Sequence, residues 1–184
     1  MTRRRALPPV FEVARCVVLA IDPGREGGAA VWAPSGFALA ERVKPGGESR
    51  IVESALRIAE AEELPLMVVG ETWTFGGRGG DPRATGAMRA GLAARWGRWE
   101  GALLAAGVPA RRVLRVNVRT WQARILGAPP HATSEQRKAA AERVARDVAR
   151  LDVTGDAADA VCIALWAARA GEVLDRIPKR RGAA

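Results

Sequence analysis

The chain has 184 residues, 48% of them apolar, which suits one domain with a full core and excludes a disordered chain. Its net charge of +9 is almost wholly arginine, since only Lys44, Lys138 and Lys179 are lysines. That charge points to a polyanionic partner, nucleic acid before membrane, because no basic amphipathic helix stands apart from the core pattern; an arginine-rich coding bias would raise it as well.

No apolar run approaches the roughly eighteen residues of a membrane span. The N-terminus, TRRRALPPVFEVAR, is basic but has no apolar segment or cleavage site of a signal peptide. Cys16 and Cys162 both lie in apolar runs, as reduced thiols would. A cytoplasmic protein without membrane association is expected.

Residues 1–14 read as a basic arm, with Pro8-Pro9 excluding a regular helix. A continuous apolar run from Cys16 to Ile21 leads into Asp22, and Pro23-Gly24 then forces a turn. Such a run reads as a strand buried on both faces, with Asp22 at its carboxyl end, where open α/β sheets place ligands. Asp22 before Pro-Gly would also serve as an ordinary turn residue. Ala29 to Trp32 predicts a second strand, and Phe37 to Val43 a third, antiparallel one after the Pro34-Ser35-Gly36 turn. Ile51, Val52, Ala55, Leu56 and Ala59 recur at helical spacing, predicting a helix over 48–63. Leu66 to Val69 is a further apolar strand ending at Gly70-Glu71, and a glycine- and arginine-rich loop, TWTFGGRGGDPRATG, follows.

Met88, Leu92, Trp96, Trp99 and Leu103 predict a helix over 85–106, ended by Gly107 and Pro109. Leu114, Val116 and Val118 alternate as a last strand, and 121–126 reads as a short helix. Thr133 with Gln136 has the form of a capping box opening a basic helix to Arg150. The last helix, 156–170, leaves little polar surface, and Gly171 would cap it. The organisation expected is the arm at 1–14, one domain over 15–172 and a loose basic tail at 173–184.

The helix between the first strand and the one ending at Glu71 is the crossover that makes two strands parallel. If those strands are neighbours, Asp22 and Glu71 end about 5 Å apart laterally. Asp156 and Asp159, at i and i+3, face the same way on the first turn of the last helix. Asp156 suits a helix start for dipole reasons alone, but Asp159 on an apolar helix is costly unless paired or bound to metal. Four converging carboxylates would raise one another's pKa values unless cations neutralised them. Magnesium, with manganese able to substitute, prefers such oxygen ligands. Two ions about 4 Å apart would activate water and stabilise the leaving oxygen in phosphodiester hydrolysis.

IDPG at a strand end, Glu71 ending a second parallel strand and DAADA opening the last helix resemble the RuvC-type Holliday junction resolvases. The intervening WGRWEG, GVP, VNVRTWQ and a Ser/Thr-led segment holding Lys138 are similar to the phage-type branch, and the resemblance spans about Val17 to Ala168. It implies an α/β, RNase H-like fold with a central mixed five-stranded sheet flanked by helices. It further implies a homodimer of bacterial or phage origin, associated with the nucleoid, that nicks four-way junction DNA symmetrically with metal and no small-molecule cofactor. The catalytic and metal-ligating acids carried over are Asp22, Glu71, Asp156 and Asp159, with Lys138 approaching the scissile phosphate. An aromatic shortly after the second acid stacks at the junction centre in this family, and Trp73 and Phe75 flank that offset. No histidine stands beside Asp159, where some relatives have one.

Trp73 and Phe75 lie in a polar loop where stacking on unpaired bases is plausible. Arg78, Arg83, Arg89 and Arg137 are the candidate phosphate contacts alongside Lys138. Arg25 and Glu26 border the site. Trp96, Trp99 and Trp166 lie on apolar helical faces suited to core or dimer contact, and one of Trp96 and Trp99, not both, is expected at a subunit interface. The only histidine, His131, sits in a Pro-rich loop.

Three other readings compete. One is a different RNase H-like nuclease, acting on RNA/DNA hybrids or on branched and flap DNA; a DEDD exonuclease is disfavoured because Gly24 stands where a second acid belongs. An actin-like or sugar-kinase ATPase needs two such domains, for which the chain is too short. A non-catalytic junction-binding module would have no use for all four acids.

Overall fold

The computed structural model describes residues 15–72, 86–127 and 132–169. The basic arm, the tail, Gly171, His131, Trp73, Phe75, Arg78 and Arg83 lie outside the described residues.

The first apolar run forms β1 (Val17–Asp22), every residue of it buried, because it is the central strand of the sheet. The strand order is β3-β2-β1-β4-β5, built from β2 (Gly28–Ala33), β3 (Gly36–Arg42), β4 (Leu66–Thr72) and β5 (Val113–Asn117). β1, β2 and β3 form an antiparallel meander joined by short turns, whereas β1, β4 and β5 run parallel. The two parallel steps are made by helical crossovers, α1 (Glu48–Ala61) and α2 (Gly86–Ala105), as parallel pairing requires. The mixed five-stranded sheet flanked by helices is the architecture expected from the sequence.

Alternation along the strands divides the core into two layers. Val17, Leu19, Ile21, Leu66 and Val68 pack with Ile51, Val52, Leu92, Trp96 and Trp99 of α1 and α2. Val18, Ala20, Met67 and Val69 face the other way, toward α3 (Val118–Ile125), α4 (Ser134–Asp147) and α5 (Asp156–Arg169). In α5 every residue except Asp159 and Arg169 is buried, and its alanines let it lie close on the sheet. A Cβ on Gly28 would overlap the Asp156 carbonyl, so the start of α5 touches the backbone of β2.

Both Trp96 and Trp99 are 3% exposed and belong to the core layer beneath α2, so the expectation of one of them at a subunit interface does not hold. The Trp96 ring packs against Gly70, where a Cβ would overlap it. Met88, read with that apolar face, is instead 53% exposed at the start of α2. Val118 is not in the last strand: the Asn117 side chain accepts a hydrogen bond from the Arg119 amide at 2.9 Å, and this cap starts α3 there. The capping box of α4 is complete, with Thr133 and Gln136 bonded reciprocally at 2.9 and 3.2 Å. That helix stops before Arg150, which adopts φ 60°, because the Leu151 amide turns back to the Ala145 carbonyl at 3.0 Å. Cys16 and Cys162 are free, buried thiols, and burial pushes Cys16 up to about 12. Among the described residues no helix is long and apolar enough to cross a membrane.

Candidate active site

Asp22 shares the parity of Val18 and Ala20, and Glu71 that of Met67 and Val69, so both carboxylates project onto the α5 face. The register pairs Ile21 with Gly70, which sets Asp22 beside Glu71 at the carboxyl ends of adjacent parallel strands. α5 starts over this point, with Asp156 as its first residue and Asp159 one turn later. Carboxylate oxygens of Asp22, Asp156 and Asp159 lie within 4.8 Å of one another, two of the residues buried and Asp159 half-buried.

Asp22, Asp156 and Glu71 each accept hydrogen bonds that fix their carboxylates. Asp22 Oδ1 accepts from the Gly24 amide at 2.9 Å, closing the Pro23-Gly24 turn. Asp156 Oδ2 accepts from the Glu26 and Gly27 amides, both at 3.0 Å, so the last helix pins the turn between the first two strands. Its other oxygen, Oδ1, lies 3.8 Å from Lys138 Nζ, on α4. Glu71 stands outside the 4.8 Å group; its Oε2 accepts from the Trp121 indole at 2.8 Å, and its main-chain carbonyl from the Trp96 indole at 2.8 Å.

Burial and crowding disfavour ionisation here. Asp22 is pushed well above the usual carboxylate range, first by desolvation and then by the charges of Glu71, Asp159 and Asp156, with the Gly24 amide opposing. Asp159 is raised to about 7 by burial and by Asp156 and Glu142, with Lys138 opposing. Close, buried, oxygen-only ligands that resist carrying their own charge form a donor set suited to a hard divalent cation.

The remaining sequence candidates sit around this point. Arg137 is half-buried beside Lys138, and Arg89 is exposed on the first turn of α2. Four contributors have no individual signature in the sequence. Trp121 reaches Glu71 because the Asn117 cap turns α3 back over the strand end. Glu142, an acid on a basic helix, accepts from the Gly155 amide at 3.1 Å just before α5. Arg42 forms an ion pair with Glu26 at 2.8 Å on the rim. Arg95 donates to the Pro23 carbonyl at 2.7 Å, and beside it a cleft of about 490 Å³ opens between the Pro23-Gly24 turn and α2.

No family model matches the sequence, and no curated protein matches it. Solved structures do match. The T. thermophilus RuvC in complex with Holliday junction substrate is 21% identical, with a TM-score of 0.55 over 88% of this chain and 98% of that one. A second Thermus thermophilus RuvC structure is 22% identical, with a TM-score of 0.51 over 85% of this chain and 95% of that one. The chain has the RuvC fold. β1, β4 and α5, which carry the acids, are the central strand, its parallel neighbour and the helix laid across them in this RuvC-like, RNase H-like sheet.

Proposed function

We propose that the chain is a metal-dependent endonuclease that resolves four-way DNA junctions by paired, symmetric phosphodiester hydrolysis, acting as a homodimer. The observation that carries this reading is the meeting of Asp22, Asp156 and Asp159 within 4.8 Å, on the face of a RuvC fold where Glu71 joins Asp22. The relative bound to Holliday junction substrate supports the choice of DNA, as does the charge of +9.

In this reading Asp22, Glu71, Asp156 and Asp159 hold two magnesium or manganese ions, which when bound supply activation of water and stabilisation of the leaving oxygen. Asp22, buried and close to the charges of Glu71, Asp159 and Asp156, would be one ligand, and its burial excludes competing water. Asp156 has two tasks: one oxygen fixes the turn at Glu26 and Gly27 while the other faces Lys138. The Lys138 ammonium, exposed on its outer side, neutralises charge developing on the phosphate. Arg137 and Arg89 contact backbone phosphates. Trp73 or Phe75 stacks on bases at the junction centre, and Arg78 and Arg83 contact phosphates.

The test is cleavage of four-way, flap, duplex and RNA/DNA hybrid substrates with and without magnesium. Paired nicks confined to the four-way substrate, dependent on metal, are expected. Preferential cutting of the hybrid, or metal-independent cutting, would overturn the reading.

A further inference from the structure

We propose that Trp121 is a positioning residue: its indole N–H sets the orientation in which Glu71 presents its carboxylate to a metal ion. This rests on the reading of Glu71 as a ligand. The bond runs from Trp121 Nε1 to Glu71 Oε2 at 2.8 Å, with Trp121 fully buried and Glu71 5% exposed, so water does not compete for it. Glutamate has one more rotatable bond than aspartate, and a ligand on so flexible a stem needs a second contact to hold its aim. An indole suits that role because it only donates and cannot displace the metal from an oxygen.

Trp121 is itself held in place. β5 pairs Glu71 with Val116 and Thr72 with Asn117, and Asn117 caps the helix that carries Trp121. A short path of ladder, cap and helical turn thus returns the chain to the residue beside which it started. On the opposite face of the sheet, the Trp96 indole donates to the carbonyl of the same Glu71, so one indole fixes its backbone and another its side chain. Filling the core does not account for the first bond. Trp166, packed in the same layer as Trp121, has its indole N–H buried without a partner among the described residues.

The experiment measures Mn²⁺ binding by calorimetry, without DNA, for the wild-type protein, Trp121→Phe and Glu71→Gln. Phenylalanine keeps an aromatic ring and removes the N–H. Trp121→Phe is expected to weaken Mn²⁺ binding about 10- to 100-fold, the range for partners of metal ligands. Its junction affinity should be unchanged, and its cleavage should recover as metal is raised. Unchanged Mn²⁺ affinity in Trp121→Phe alongside a loss in Glu71→Gln overturns the positioning role and leaves Glu71 a ligand. Unchanged affinity in Glu71→Gln removes Glu71 from the ligand set, and the inference falls with it. Should Trp121→Phe not fold, the indole N–H resonance of Trp121 in ¹⁵N-labelled wild-type protein is followed during a Mg²⁺ titration. A shift saturating with metal binding supports the role, and a stationary resonance overturns it.

Discussion

Burial and mutual repulsion raise the pKa values of Asp22 and Asp159 above the usual aspartate range, and this has a measurable sign. A carboxyl whose folded-state pKa lies above its unfolded value retains a proton that the unfolded chain releases. Its contribution to stability is complete below the unfolded value of 3.8 and is lost as pH rises to about 7, the folded value for Asp159. In EDTA, the melting temperature should therefore decline between about pH 4 and pH 7, and divalent metal at pH 7.5 should restore it. Asp159→Asn should flatten that decline and raise the metal-free melting temperature at pH 7.5 by a few degrees, on the order set by proteins of this size. A melting temperature that rises over this window in EDTA would refute the crowding argument. Catalytically, Asp22→Asn, Glu71→Gln, Asp156→Asn and Asp159→Asn should each cut cleavage by about 100-fold or more, the upper end of losses for groups merely supporting a metal ligand. Junction binding should persist, since each change removes negative charge facing DNA. Lys138→Ala should slow cleavage more than it weakens binding; equal losses would make it an ordinary phosphate contact.

At the level of elements, the site depends on how closely α5 approaches β2. Gly28→Ala would drive a methyl into the Asp156 carbonyl, and the helix start would have to lift. Overpacking of this kind costs roughly 1–3 kcal/mol. The displacement falls on the residue that pins the Glu26-Gly27 turn, so cleavage should drop even under conditions where denaturant titration shows the variant folded. A folded, fully active Gly28→Ala would mean the contact is not needed. The positions of Asp22 and Glu71 at strand ends were legible in the sequence because continuous apolar runs closed by turn residues admit few alternatives. Asp159 was legible because a carboxylate on an apolar helix stands out, and Asp156 through its i, i+3 spacing from it. Alternation along Leu114, Val116 and Val118 misplaced one boundary, since a single asparagine side chain outweighs a weak periodic signal. The assignment of one of Trp96 and Trp99 to a partner failed for another reason. Helical spacing shows that a face is apolar but not whether sheet or subunit covers it. The Trp121–Glu71 bond joins residues 50 apart and leaves no local pattern at all.

For the whole molecule, the charge of +9 would make the proposed association with DNA a counterion-release process. Log junction affinity should fall linearly with log salt, with a slope near −0.9 per phosphate contacted; a flat plot would assign the arginines to another task. Two opposed nicks in one junction call for two active sites related by a two-fold axis. Sedimentation should show a dimer, and a monomer both with and without junction DNA would sink the paired-cutting reading. With the tryptophans internal, α2 offers a partner Leu104, which is 79% exposed. Leu104→Glu is expected to yield a folded monomer that nicks one strand at a time.

The Asp156 carboxylate and the Gly27 amide that it grips are 129 residues apart in sequence. On the ribosome, β1 through β5 emerge long before α5, so a chain still being synthesised possesses Asp22 and Glu71 but lacks half of its acids. On the reading of these acids as metal ligands, the site would be complete only once α5 is made. A product terminated before α5 would lack the Asp156–Asp159 pair and the clamp on the Glu26-Gly27 turn.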